Sequence, residues 1–218
     1  MACWSAENAT KAYLKTMKMG KRAKEPDAAE FISALAAGNN AQLMVVAGAS
    51  TADSTTLALV AAAYQTGGHV VCILRGLKEL HSSKESLGHN ASHVEFVVGE
   101  AHNLLLHDYR HADFVVINCN LENHEGILSA VQASKRHNGT IVLGYNAFCK
   151  DSWRWSGSNT QLLPIGEGLL LTRIAAKSKS GNGSGFGKRS HWVVKVDKCT
   201  GEEHVFRVRS PQGRVVEA

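Results

Sequence analysis

Five short apolar runs, rich in β-branched residues and separated by helix-like segments, set the strongest limit on the fold. Residues 54–67 are rich in Ala and Leu and end at Gly67, which is typical of a helix, and residues 121–139 form a second helix-like segment. Strands that alternate with helices form right-handed βαβ units. The pattern therefore predicts an α/β, Rossmann-like fold with a mainly parallel central sheet and helices on both faces. The predicted strands are residues 41–48, 69–74, 94–99, 112–118 and 139–145.

The flanking segments predict how the 218 residues are organised. Residues 1–25 form a basic helical segment, and residues 26–176 form the α/β domain. Residues 177–190 are a basic loop rich in Gly and Ser. Residues 191–218 form a C-terminal β-hairpin extension of the same domain, because apolar residues alternate on both sides of a "CTGEE" turn.

Charge and residue usage limit the partners and the compartment. The net charge of +5 permits RNA contact through the basic segments, although solvated basic faces are commoner. Five scattered cysteines and eleven histidines show no metal-ligand spacing. No secretory signal and no membrane span is recognisable, so we expect a cytoplasmic or nuclear protein without membrane contact; a homodimer is compatible with the sequence. The bases that would contact RNA are Lys11, Lys15, Lys18, Lys21, Arg22, Lys24, Lys177, Lys179, Lys188 and Arg189.

The loop after the first strand, "GASTADS", is the clearest candidate for a ligand site. It leads from a strand into a helix N-terminus, where backbone N–H groups and the helix dipole favour a nucleotide-like ligand. The glycine pattern is poor, since only Gly48 is present. The alternative is a connecting loop in which Ser50, Asp53 or Ser54 caps the next helix.

Five segments, in order, resemble the class I S-adenosylmethionine-dependent methyltransferases, especially the caffeoyl-CoA-type O-methyltransferases. The resemblance covers about residues 26–174. The whole chain is identified as a member of a plant-specific family catalogued only as a domain of unknown function. The matching segments are "PDAAEFISALAAGNNAQLMVVAGASTADSTTLALVAAAYQTGGHVVCIL", "VEFVVGEAHNLL", "ADFVVINCNLENH", "GTIVLGYNAF" and "LLPIGEGLLLTRI".

The resemblance implies S-adenosylmethionine as cofactor and assigns residues to two parts of a site. Residues on the acceptor side are Asn120, Asn146, Trp153 and Trp155. Residues on the cofactor side are Gly48, Ala49, Ser50, Ser54, Leu74, Arg75, Gly99, Glu100, Ala101 and Asn118.

Departures from the family pattern affect its chemistry. Asn118 and Asn146 stand where the family has metal-binding aspartates, and Leu121 replaces a lysine. Amides supply no charge to a hard divalent cation, so no metal is expected. The acid that would hold the ribose falls at Leu74 or Arg75, and no catalytic residue can be assigned.

Two functions therefore remain open from the sequence. One is a divergent, metal-independent methyltransferase with an unknown acceptor. The other is a catalytically inactive binding module for a small ligand, a protein or RNA.

Overall fold

The computed structural model describes residues 4–19, 27–133, 139–149, 160–175, 190–196 and 203–209. Its helices are α1 (Ala6–Met19), α2 (Ala28–Gly38), α3 (Ser54–Thr66), α4 (Leu77–Leu87), α5 (Ala101–Leu106) and α6 (His124–Ala133). Its strands are β1 (Leu43–Ala47), β2 (His69–Leu74), β3 (Glu95–Val98), β4 (Phe114–Asn118), β5 (Thr140–Tyr145), β6 (Thr160–Leu163), β7 (Leu169–Ile174), β8 (Ser190–Val196) and β9 (Glu203–Arg209).

Seven of these strands form one sheet in the order β3-β2-β1-β4-β5-β7-β6. The first five in that order are parallel, whereas β7 is antiparallel to both β5 and β6. The five predicted runs thus lie in one mainly parallel sheet, and the predicted fold class is confirmed. The strand order reverses between β1 and β4, which is where open α/β sheets bind ligands at the carboxyl ends of their strands.

Two apolar layers cover the two faces of the sheet. Successive residues of a strand point to opposite faces, so Val46 packs with Ile32 and Leu59 on one side. Its neighbour Val45 packs with Leu105 and Val131 on the other side. Helices therefore lie on both faces, as predicted.

The N-terminal helix α1 packs against α2 and α3. Trp4, just before α1, lies over Gly38 at the end of α2, and a methyl group on Gly38 would clash with the indole ring. The Ser5 N–H also donates to the Gly38 carbonyl at 2.8 Å. Glycine at position 38 is thus what lets the start of α1 approach α2 closely.

Four elements were not predicted from the sequence: α4, a 3₁₀ helix at Gly88–His93, α5 and β6. Only Ser83 and Leu87 are buried in α4, and only Leu105 is buried in α5, so neither shows a full apolar stripe. The helix predicted over 121–139 begins later, at His124, because residues 118–124 form turns in which Leu121 and His124 donate backbone hydrogen bonds three residues back.

Strands β8 and β9 form a two-stranded antiparallel sheet of their own. The register pairs Ser190 with Arg209 and Val196 with Glu203. The predicted C-terminal hairpin is therefore present. In the described part of the chain, no helix is long and apolar enough to span a bilayer.

Candidate ligand-binding site

A cavity of about 500 Å³ opens at the carboxyl ends of β1, β2 and β3, and we call it the carboxyl-edge cavity. Backbone hydrogen bonds hold the three strand ends together: Gly48 N–H donates to the Ile73 carbonyl at 3.2 Å, and Gly99 N–H donates to the Leu74 carbonyl at 3.0 Å. The lining residues are Gly48, Ile73, Leu74, Arg75, Gly99, Glu100, Ala101, His102, Leu121, Glu122, Asn123 and Ile127.

Six of the ten residues predicted on the cofactor side line this cavity. They come from three separate strand ends, and they are Gly48, Leu74, Arg75, Gly99, Glu100 and Ala101. A methyl group on Gly48 would meet only ordinary contacts, the nearest being the Ser50 carbonyl oxygen at 3.5 Å. Packing within the protein therefore does not require glycine at this position of the cavity wall.

The other residues predicted in the first loop lie outside the cavity wall. Ser50 and Ser54 are exposed, and Ala49 packs against the apolar layer that contains Val45 and Leu105. Two hydrogen bonds fix the loop to the neighbouring helices. The Ala52 N–H donates to Ser83 Oγ of α4 at 2.8 Å, and Asp53 Oδ1 accepts from the Thr55 N–H of α3 at 2.9 Å. Asp53 is thus the cap of α3, which the sequence left open among three residues.

Arg75 lies on the wall of the cavity directly after β2. Its side chain is exposed, whereas the preceding Leu74 is buried. No hydrogen bond or ion pair involves the Arg75 guanidinium among the residues that the structure describes. Within the described residues, a cation without a partner therefore lies directly after β2, at one of the two positions, Leu74 and Arg75, where the resemblance places an acid.

Asn118 ends β4 and lies beside the cavity rather than on its wall. The side chain is buried, and its Oδ1 accepts from the Asn120 N–H at 2.9 Å and from Asn146 Nδ2 at 3.2 Å. Asn146 follows β5 in a left-handed conformation, with φ of 59°. Asn120 itself is exposed. The two amides at the metal-site positions are therefore hydrogen-bonded to each other.

The polar contacts continue from this amide pair to the first loop. Tyr145, the last residue of β5, is buried, and its hydroxyl donates to Asp53 Oδ2 at 3.2 Å. Burial raises the pKa of Tyr145, and Asp53 raises it further, whereas a side-chain hydrogen bond with Asn118 lowers it. We call Asp53, Tyr145, Asn118 and Asn146 the polar chain; it joins the first loop to the ends of β4 and β5.

The amide pair of Asn118 and Asn146 does not supply the ligands of a hard divalent cation. Such ions select charged oxygen ligands, whereas Asn118 and Asn146 are neutral and Asn118 Oδ1 already accepts two hydrogen bonds. In the described ranges, no group of three or more His, Cys, Asp or Glu side chains is arranged to hold a metal.

Sequence reasoning missed half of the cavity wall and the tyrosine of the polar chain. His102, Glu122 and Asn123 lie in the segments that follow the carboxyl ends of strands β3 and β4, and the edge rule for parallel sheets was the signal that pointed to them. A buried tyrosine needs a partner for its hydroxyl, which was the signal for Tyr145. The predicted acceptor residues Trp153 and Trp155 lie outside the described residues.

Comparison with known proteins places the chain in a family. Residues 1–208 match the model of a family described as "Protein of unknown function (DUF1442)". The chain belongs to this family. No curated protein matches the sequence.

Several solved structures similar to this DUF1442 protein are methyltransferases. One is a methyltransferase of Podospora anserina with S-adenosylhomocysteine bound, with a TM-score of 0.55, 14% identity, and coverage of 81% of this chain and 91% of that chain. Another is an O-methyltransferase of tomaymycin synthesis from Streptomyces achromogenes in complex with S-adenosylmethionine, with a TM-score of 0.52, 16% identity, and coverage of 81% and 92%. A third is a methyltransferase from Geobacter sulfurreducens, with a TM-score of 0.51, 17% identity, and coverage of 79% and 91%. At these identities the likeness establishes the Rossmann-like methyltransferase fold.

Proposed function

We propose that this DUF1442 protein binds S-adenosylmethionine in the carboxyl-edge cavity and transfers its methyl group without a metal. The observation that carries the proposal is the convergence of six predicted cofactor residues, from three strand ends, on one cavity. Two structural neighbours hold S-adenosylmethionine or S-adenosylhomocysteine, which supports this choice of ligand.

Each part of the cavity wall suits a part of that ligand. Gly48 leaves room for the ligand to approach the backbone at the end of β1. The segment Gly99–Ala101 and the apolar side chains of Leu121 and Ile127 line the region in which a flat base would be held. Ser50 and Ser54, in the same loop as Gly48, are proposed to contact the amino-acid end of the donor.

Metal independence rests on the amide pair. In-line methyl transfer depends mainly on the alignment of donor and nucleophile, and this alignment does not require a cation. Asn146 uses one amide hydrogen in its bond to Asn118, which leaves its carbonyl oxygen and second N–H for an uncharged acceptor. We therefore assign Asn120, Asn146, Trp153 and Trp155 to the acceptor side.

The donor is expected to bind weakly. Arg75 stands where an acid would accept a hydrogen bond from the ribose, and the loss of a charge-assisted hydrogen bond costs roughly 1.5–3 kcal/mol. Affinity is therefore about tenfold to a hundredfold below that of a site with the acid, and we expect a micromolar dissociation constant.

The alternative proposal is a catalytically inactive binding module on the same fold. The observation that favours it is the side chain of Leu121, which is buried and apolar where the family's lysine would stand. With both aspartates also replaced, three chemical groups are absent together. We also propose that the family is specific to plants.

Calorimetric titration with S-adenosylmethionine and S-adenosylhomocysteine, in EDTA and in Mg²⁺, tests both proposals. We expect the same micromolar affinity in either buffer. A complete lack of binding at millimolar ligand would overturn the cofactor assignment, and binding that needs Mg²⁺ would overturn metal independence. Transfer of a radioactive methyl group from the donor to any component of a cell extract supports the enzyme over the binding module.

A further inference from the structure

Arg75 is a cation on the wall of the carboxyl-edge cavity. Its guanidinium carries five N–H donors in a planar fork, yet within the described residues it makes no ion pair or hydrogen bond. The neighbouring residues do not use it to hold the fold together, since the side chain is exposed. Arg75 is therefore available to a ligand in the cavity.

The position of Arg75 specifies which part of a nucleoside it would meet. Ala47 pairs with Ile73 in the sheet, so the end of β1 and the end of β2 lie side by side. In dinucleotide sites of this topology, an acid after the second strand accepts hydrogen bonds from the ribose hydroxyls, and an arginine there accommodates a phosphate on the ribose. The same geometric argument applies to any nucleoside bound across these two strand ends.

The wall of the cavity also carries carboxylates. Glu100 and Glu122 lie on the wall formed by the start of α5 and the loop before α6. Carboxylates accept hydrogen bonds and repel anions, so this part of the wall suits the amino group of adenine rather than a phosphate. The wall thus carries the Arg75 guanidinium after β2, the Glu100 carboxylate after the neighbouring strand β3, and the Glu122 carboxylate and His102 imidazole.

The N-terminus of α4 is not an alternative binding site for a phosphate group of the ligand. The Glu79 carboxylate folds back over Gly76, where a methyl group on Gly76 would lie 2.9 Å from Glu79 Oε2. The protein's own anion therefore covers the helix start, and Arg75 is the cation that remains for a ligand. A volume of about 500 Å³ also lies within the range of small-ligand sites.

We infer that the carboxyl-edge cavity selects an adenosine ligand that carries a phosphate on the 2′ or 3′ hydroxyl of its ribose, with Arg75 as the phosphate-binding residue. A guanidinium pairs with two phosphate oxygens in one plane, which gives both charge neutralisation and orientation. The inference rests on the cavity and on the adenosine moiety of the proposed function, and it differs from that proposal in what the ribose carries.

The test is a set of titrations of the native protein with adenosine, its 2′-, 3′- and 5′-monophosphates and S-adenosylhomocysteine. We expect the 2′- or the 3′-monophosphate to bind at least about tenfold more tightly than adenosine, and more tightly than the 5′-monophosphate. Arg75→Gln should remove this preference, so that the 2′- and 3′-monophosphates bind no more tightly than adenosine to this variant. Arg75→Glu should reverse it and tighten S-adenosylhomocysteine. Arg110→Gln, which removes an exposed arginine outside the cavity wall, is the matched control and should keep the preference.

The outcomes separate the inference from the proposed function. If S-adenosylhomocysteine binds and the ribose phosphates do not bind more tightly than adenosine, the inference is wrong and the proposed cofactor stands. If a ribose phosphate binds and S-adenosylhomocysteine does not, the inference stands and the methyl donor is wrong. Equal tightening by the 5′-monophosphate, or loss of the preference in Arg110→Gln, would show general attraction of phosphate and would overturn the role of Arg75. If no adenosine ligand binds, both proposals fall.

Discussion

Replacement of Tyr145 by phenylalanine tests whether the polar chain holds the carboxyl edge of the sheet together. Tyr145→Phe keeps the ring that fills the core and removes only the hydroxyl, which donates to Asp53 Oδ2 at 3.2 Å. A hydrogen bond to a charged group contributes about 1.5–3 kcal/mol, and Tyr145 is only 6% exposed, so water cannot readily replace the lost hydroxyl. We therefore expect the free energy of unfolding to fall by about 1.5–3 kcal/mol.

Tyr109→Phe is the matched control, because the Tyr109 hydroxyl also donates to a carboxylate, Glu95 Oε1, at 2.7 Å. That bond lies at the surface, where water replaces the phenol, and a surface change of this kind alters stability by less than about 0.5 kcal/mol. The two variants therefore remove the same chemical group from a buried and from a solvated site.

Thermal and urea denaturation followed by circular dichroism measure both effects. For a chain of this size, 1 kcal/mol shifts Tm by about 2–4 °C, so Tyr145→Phe should lower Tm by about 3–12 °C. Equal shifts in Tyr145→Phe and Tyr109→Phe would refute the claim that burial makes the Tyr145 bond strong. A rise in Tm for Tyr145→Phe would show that the hydroxyl is poorly satisfied in the folded protein.

Three further predictions concern the cavity, the thiols and the basic loop. Gly48→Ala should weaken S-adenosylhomocysteine binding by about fivefold to a hundredfold, because we expect the added methyl group to take up space that the ligand needs. Tm should change little, because the methyl group would make only ordinary contacts within the protein. Unchanged affinity in calorimetry would place the ligand elsewhere. Burial raises the pKa of Cys72 to about 12 against a usual value of 9.0, so its thiolate fraction at pH 8 is about a thousandfold lower than normal. Iodoacetamide should therefore label the half-buried Cys149 well before Cys72. Rapid labelling of Cys72, measured by mass spectrometry, would contradict its burial. If residues 177–190 contact RNA, the affinity of the native protein for RNA in gel-shift titrations should fall steeply with salt. Deletion of residues 178–189 should weaken this binding. Salt-independent or undetectable binding would show that the basic loop does not bind RNA.

The central strands β1, β2, β4 and β5 were predictable because most of their residues are buried on both faces. A strand such as Phe114–Asn118 is buried at every position, which leaves an uninterrupted apolar run in the sequence. The short elements α5 and β6 were not predicted because they bury few residues. Helix α5 has six residues with one buried, and β6 is a four-residue edge strand without a fully buried residue, so neither leaves a periodic pattern.

The candidate site was predictable where backbone segments define it and unpredictable where side chains meet. The rule that parallel strands end at one edge, together with the family resemblance, gave the segments around Gly48, Arg75 and Gly99. The bond between Tyr145 and Asp53 joins residues that are 92 positions apart, and no local pattern encodes such a pair. The assignment of these residues to a bound ligand stays a prediction.

The left-handed turn at Asn146 has a consequence for how this edge of the sheet changes in evolution. Asparagine and aspartate both tolerate a positive φ, whereas most other residues are strained there, so the backbone at φ of 59° accepts either side chain. The codons of the two amino acids differ by a single base. A lineage can therefore pass between an amide-bonded edge and one with carboxylates through point mutations at Asn118 and Asn146, without a change in the left-handed turn at Asn146.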